Sequence, residues 1–262
     1  MDDNYQTYLN RLARLTLPEA YKSQAQHIQE SSKFQANSGV RQAASFPGYT
    51  LITPPAEEES KNSAFYEQLQ TYQQGLLELP VNRDLIVPVP PASFHLTLAD
   101  LIWDSAFLDA CQKNPKFDQE LHSCLGGIFQ QYQQLMTNRN HPIQWQMLGL
   151  ILMPRAIAVC LVPQDERCYD EIIQFRRTIY QNPKLMALGI EQHYHFTAHI
   201  TLAYFGEIPS DLDRTNFSTM LSELNQQLLL NLPEFLVDRV ELRKFDDMTR
   251  YYREPDWPVL EF

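Results

Sequence analysis

Two short stretches of this chain carry residue types that move protons at neutral pH, His95-Leu96-Thr97-Leu98 and His199-Ile200-Thr201-Leu202. In an extended strand successive side chains alternate faces, so residues at i and i+2 point the same way roughly 7 Å apart. Each stretch therefore presents one imidazole and one hydroxyl to a common space, while Leu96, Leu98, Ile200 and Leu202 turn into a core. Two such strands side by side would aim two histidines and two threonines at one ligand. Imidazole titrates near neutrality, so one ring can take a proton while the other gives one. Hydroxyls can donate to the non-bridging oxygens of a phosphate, where charge accumulates in the transition state. This equipment suits the opening of a phosphodiester, with water activated on one side of phosphorus and the leaving oxygen protonated on the other. His95 and His199 are the candidate acid and base, the assignment between them being open, and Thr97 and Thr201 are the candidate phosphate-binding residues.

His195-Phe196-Thr197 has the same spacing, and in a regular strand His193, His195, Thr197, His199 and Thr201 would all share one face. The second motif thus has two registers. His199 is preferred because Leu202 supplies an apolar residue where Ala198 does so poorly, which leaves His195 at the cleft rim, within reach of substrate, or in a structural role. The same histidines suggest three nitrogen ligands for a metal. No Asp or Glu lies inside that span, Cys168 is remote in sequence, and the first motif would be left unexplained, so the reading is of no metal and no cofactor. Phe94, Tyr204, Phe205 and Trp103 flank the motifs and are candidates for stacking on a base, although strand aromatics more often belong to a core. Tyr49, Tyr251 and Tyr252 are similar candidates, and Arg155, Arg243 and Lys244 are cations at predicted strand ends where a phosphate could use them. Gly126-Gly127 is not followed by a phosphate-loop pattern, and no G-x-S-x-G points to a serine hydrolase.

Positioning such groups takes a proper core, and 262 residues with 44% hydrophobic content can build one. Residues 1 to 45 are polar and glutamine-rich, with Tyr5, Tyr8, Leu9, Leu12 and Leu15 at helical spacing before Pro18. They predict two short helices that dock on the main domain or serve as a partner-binding arm. Gly48 to Thr53 reads as a strand, 62 to 79 as a helix, Leu85 to Val89 as a short strand, and Ser93 to Ala99 as the strand of the first motif. A helix at 116 to 137 follows, then a hairpin of Ile143 to Met153 and Ala156 to Val162 turning at Pro154. Asp165 caps a helix running to Tyr180, His193 to Phe205 carries the second motif, a helix lies near 211 to 230, and Phe235 to Phe245 closes the series as a strand. Two halves with the same order of elements and the same motif on a late strand predict an internally duplicated α+β protein with a cleft between its lobes.

The remaining composition narrows the partners. A formal charge of −11 without a Lys/Arg tract argues against duplex DNA or a nucleic-acid backbone as ligand, so a bound phosphate should belong to a small molecule or an RNA end. Cys111, Cys124, Cys160 and Cys168 show no paired spacing, as expected of reduced thiols. No apolar run is long enough to cross a membrane, and Met1-Asp2-Asp3-Asn4 is unlike a secretory leader, so the expected location is cytoplasmic.

At Phe94-His95-Leu96-Thr97-Leu98 and Ala198-His199-Ile200-Thr201-Leu202-Ala203-Tyr204-Phe205 the chain resembles the two-histidine phosphoesterase superfamily, the LigT-like cyclic phosphodiesterases and their relatives. Their signature is a pair of His-x-Thr/Ser-x motifs, the last position apolar, on facing strands. The resemblance covers residues 46 to about 250, and the Pro-Pro before Ser93 with the Phe-Pro-Gly-Tyr-Thr opening strand look like an uncharacterised bacterial branch. It implies a bilobal, internally duplicated α+β fold over 46–262, with antiparallel sheets lining a central cleft, helices outside, and residues 1–45 as a helical N-terminal extension. It also implies metal-independent hydrolysis of a cyclic phosphate or 2′-linked phosphodiester of a nucleotide or RNA end. The alternative is a nucleotide-binding module that uses the same cleft without turnover.

Overall fold

A computed structural model describes residues 2–37, 40–81, 84–135, 143–228 and 233–262. The first helix, α1 (Tyr5–Leu15), is capped by Asn4, whose side chain accepts from the Thr7 amide, and it buries Tyr8 and Leu12. Pro18 does not merely interrupt the pattern. It opens α2 (Pro18–Ala25), where its missing N–H costs nothing. Beyond these helices the extension is not helical: β1 (Phe34–Asn37) and β2 (Val40–Ala43) pair antiparallel as a separate ribbon, which corrects the all-helical expectation for residues 1–45. The segment is short and buries only Phe34, so no apolar alternation announced it.

The body begins with β3 (Gly48–Ile52), buried throughout, and α3 (Ser63–Leu77), which buries Phe65, Tyr66, Leu69, Tyr72, Gln73 and Leu76 along one stripe. Next come β4 (Ile86–Pro88), β5 (Thr97–Trp103), α4 (Asp104–Lys113) and α5 (Phe117–Leu135). The sequence reading passed over α4, whose inward face is little more than Phe107. The hairpin of β6 (Ile143–Leu152) and β7 (Ala156–Pro163) lies as expected, as does α6 (Glu166–Tyr180) with its Asp165 cap. The chain ends with α7 (Pro183–Ala187), β8 (His199–Phe205), α8 (Arg214–Leu228), β9 (Phe235–Val237), β10 (Arg239–Phe245), β11 (Tyr251–Tyr252) and β12 (Val259–Glu261). The predicted helix ends at 136–137 and 229–230 lie outside the described residues.

Two five-stranded antiparallel sheets result. One has the order β11-β10-β3-β5, with β12 also on β10, and the other the order β4-β8-β7-β6-β9. The predicted single strand from Phe235 to Phe245 is two strands, divided at Asp238, and each half joins a different sheet. Likewise β4 precedes β5 in sequence yet pairs with β8. The two lobes therefore exchange strands, and one continuous hydrophobic core runs through both.

The first motif sits on a sheet edge, and the second on a strand whose outer side is only partly covered. The strand β5 is the last of its sheet, and β4 covers only Ala203–Phe205 of β8. Neither strand begins where the sequence pattern placed it. Regular pairing starts at Thr97 and at His199, and the residues before them are irregular. Each strand then carries a bulge at the same place. Ile52 pairs with Thr97 but Leu51 with Ala99, so Leu98 is the extra residue; Ala158 pairs with Thr201 but Ile157 with Ala203, so Leu202 is the extra residue.

Candidate active site

A bulge shifts the side-chain alternation by one, and here it decides what lines the site. Asp100 and Tyr204 each lie three residues beyond the motif threonine, which in a regular strand would place them on the opposite face. With Leu98 and Leu202 bulged, they share the face of Thr97 and Thr201. Residues paired directly across a sheet share a face, so Ile52, Glu241, Thr50 and Arg243 lie on the motif side of the first sheet. By the same pairing Lys244 lies on the opposite face with Tyr49 and Ile102.

The two histidines are held alike. His95 Nδ1 lies 2.7 Å from the Ser93 carbonyl oxygen, and His199 Nδ1 lies 2.7 Å from that of Thr197. A carbonyl only accepts, so each Nδ1 carries the proton and each Nε2 is the free, basic nitrogen. The carbonyls are fixed in turn by the chain around them. Thr53 brackets Leu96, its amide donating to the Leu96 carbonyl and its hydroxyl accepting from the Leu96 amide, both at 3.0 Å. In the second motif the Ala198 amide donates to Tyr8 Oη at 3.3 Å, and the Ala198 carbonyl accepts from Leu161. Buried side chains reach both bulged carbonyls, and the Val89 amide also donates to that of Leu202 at 3.1 Å. Arg176 of α6 donates to Leu98 O, and Gln73 of α3 donates to Leu202 O and Val89 O, both at 2.8 Å.

Both imidazoles are half-buried and electrostatically coupled. Burial pushes the His95 pKa down to about 4, helped by the nearby His199 and Arg243 and opposed by the Ser93 carbonyl and the Asp100 charge. Burial also lowers His199, with Lys33 adding to the effect and the Thr197 carbonyl and Asp100 opposing it. Both rings are thus neutral at pH 7 in the unliganded protein. Asp100 accepts a hydrogen bond from Tyr194 Oη and acts on both rings. The ring of Tyr251 stands edge-on to His95 with centroids 4.2 Å apart, and burial keeps its phenol protonated. Thr97 and Thr201 are half-exposed on the same face.

Other residues singled out in the sequence fall elsewhere. His195 is half-exposed with Nδ1 3.5 Å from Asp3, and Arg11 donates to Thr197 Oγ1 at 2.7 Å and to Phe196 O at 2.6 Å, so the extension occupies the competing register. Phe94 is 1% exposed and packs in the core, where it can stack on nothing. Lys244 is bound to Asp118 at 2.9 Å on the far face of its sheet, over the Tyr49 and Phe107 rings. Arg155 sits at the turn between β6 and β7, where it reaches Gln29. Arg243 does lie beneath the motif face but is fully engaged. It is gripped by Glu241 and, through two nitrogens, by Glu58 at 2.8 and 2.6 Å, leaving no donor for a phosphate. Tyr204 lies on the face of Thr201. Asp100 and Lys33 were not anticipated, Asp100 because period-two counting sends it into the core.

No family model matches the chain, and no curated protein matches it. Among the described residues no group of His, Cys, Asp and Glu could hold a metal ion, and no helix is long and apolar enough to cross a membrane. Among solved structures the chain is similar to a conserved protein of unknown function from Agrobacterium tumefaciens, with 18% identity and a TM-score of 0.56 over 89% of this chain and 96% of that one. It is also similar to E. coli LigT complexed with 3′-AMP, with 15% identity and a TM-score of 0.44 over 83% of this chain and 98% of LigT. For TT0787 of Thermus thermophilus the values are 17% and 0.42, over 81% of this chain and 94% of that one. At such identities the likeness is one of fold, and the chain shares the architecture of the Agrobacterium protein.

Proposed function

We propose that this chain is a two-histidine phosphodiesterase that hydrolyses a cyclic phosphate or a 2′-linked phosphodiester of a nucleotide or RNA end, without a metal. The observation that carries the reading is the matched tethering of His95 and His199. Two imidazoles on separate sheets, each with Nδ1 bound to the carbonyl two residues before it, leave two basic Nε2 atoms beside two threonines. A phosphate between them meets a base on one side and a proton donor on the other. One Nε2 takes a proton from water as its oxygen attacks phosphorus. The other, protonated, gives its proton to the departing ribose oxygen as the P–O bond breaks. A bound phosphate supplies what two neutral rings lack, because its negative charge favours an imidazolium beside it. Thr97 and Thr201 donate to the non-bridging oxygens, where charge grows in the transition state.

The test is turnover of 2′,3′-cyclic nucleotides, ADP-ribose cyclic phosphate and 2′,5′-linked oligonucleotides in EDTA. His95→Ala and His199→Ala should each lower kcat by roughly two to four orders of magnitude, while His195→Ala should leave it near wild type. Turnover that survives both motif substitutions, or that needs added metal, would overturn the reading.

A further inference from the structure

Among the described residues, none on the two motif faces carries a free positive charge. The two histidines are neutral at pH 7, Asp100 adds a negative charge, and Arg243 is neutralised by two carboxylates. The protein as a whole repels anions at −11. An anionic substrate still needs a cation at its site, and one is supplied from outside the two sheets. The chain that leaves α2 runs along the end of β8, where the Ser31 amide donates to Phe205 O at 2.8 Å. Two residues later Lys33 turns inward. Its Nζ donates to Tyr204 Oη at 3.3 Å and stands 5.0 Å from the Tyr204 ring and 4.8 Å from the Phe46 ring. Tyr204 belongs to the second sheet, and Phe46 is tied to the first through the Asp246 carbonyl and a stack on Phe245. The ammonium therefore spans the gap between the lobes, one tyrosine away from the His199 face. Among the described residues no carboxylate pairs with it.

Resting on the reading above, we propose that Lys33 is a substrate-binding residue, and that the N-terminal extension is thereby part of the site: its ammonium binds the phosphate of a nucleoside monophosphate end. The aromatic faces around it suit the role. Phe46 and Tyr204 hold the ammonium by cation–π contact with little loss of charge, whereas a carboxylate partner would have cancelled it. A phosphate arriving between the histidines trades the neutral Tyr204 hydroxyl for a charge-assisted hydrogen bond, which is the stronger contact.

Binding, rather than turnover, separates this proposal from the reading it rests on. Calorimetric titration of the full-length protein with inorganic phosphate and with adenosine 3′-monophosphate would compare wild type, Lys33→Met and Lys33→Arg. Methionine keeps the stem against both rings while removing the charge, and should weaken both ligands about tenfold or more; arginine should restore most of the affinity. Wild-type affinity in Lys33→Met, or an arginine variant no better than methionine, would overturn the role of Lys33 and leave the phosphodiesterase reading standing. A wild-type protein that binds neither phosphate nor the nucleotide would overturn both.

Discussion

Holding His95 neutral has a measurable cost in acid. The ring has a pKa of about 4 in the folded chain against 6.5 for a free imidazole. A lowered histidine means that the unfolded chain binds the proton more readily, so stability is full above pH 6.5 and falls as the pH drops from there toward 4. Between pH 7.5 and 5 linkage gives a loss of about 2 kcal/mol from this one ring, approaching about 3 kcal/mol below its folded pKa. These are upper values, because the ring keeps some contact with water and solvent screens the charge. Urea unfolding at the two pH values reads the loss directly, and the many acidic groups that also titrate there cancel on comparison with His95→Gln, which keeps a polar side chain of similar reach. The variant should lose about 2 kcal/mol less than wild type over the same interval. If the two proteins lose stability in parallel, His95 is not desolvated and the neutral resting state falls with it.

Two further outcomes follow from the same geometry. Phosphate or nucleotide binding near pH 6.5 should take up a proton, seen as a dependence of the calorimetric binding enthalpy on the ionisation enthalpy of the buffer; a buffer-independent enthalpy would show that the phosphate does not protonate either imidazole. Arg176→Met and Gln73→Leu should each cost about 1–3 kcal/mol of stability, the first by taking the side-chain donor from the Leu98 carbonyl and the second by taking it from the Val89 carbonyl, and should lower kcat more than they change KM; unchanged kcat in both would show that the bulges need no such support.

The sequence showed most plainly what depends on local spacing. The stripe of α3, the cap of α6 and the hairpin around Pro154 are all decided within a few residues, and each lies where the pattern puts it. What could not be read depends on partners distant in the chain. Alternation counted from Thr97 sends Asp100 into the core, because the extra residue at Leu98 exists only as a mismatch with Ile52 and Leu51 across the sheet. The break at Asp238 is equally silent, since nothing in Phe235 to Phe245 says that its two halves pair with β6 and β3. The register of the second motif is open in the sequence for the same reason: that Arg11 and Asp3 stand beside Thr197 and His195, and not beside His199, depends on contacts distant in the chain. Lys33 lies in a polar segment that carries no motif at all, and its place is set by the Phe205 carbonyl to which the segment is anchored.

The supports of the two motifs cross between lobes. Gln73 lies on α3, which follows a strand of the first sheet, and it steadies Leu202 of the second. Arg176 lies on α6, which follows a strand of the second sheet, and it steadies Leu98 of the first. Each bulge sets the face on which Asp100 or Tyr204 emerges, so each lobe's side chains depend on a helix that the other half of the chain provides. The in-line transfer proposed above needs the two Nε2 atoms at a fixed separation across one phosphorus, and error in either position is costly. Sheets joined only by a flexible connection would let that distance wander. With exchanged strands and exchanged supports, the two histidines cannot move apart without breaking buried hydrogen bonds, so the spacing of the pair is a property of the whole core rather than of either motif.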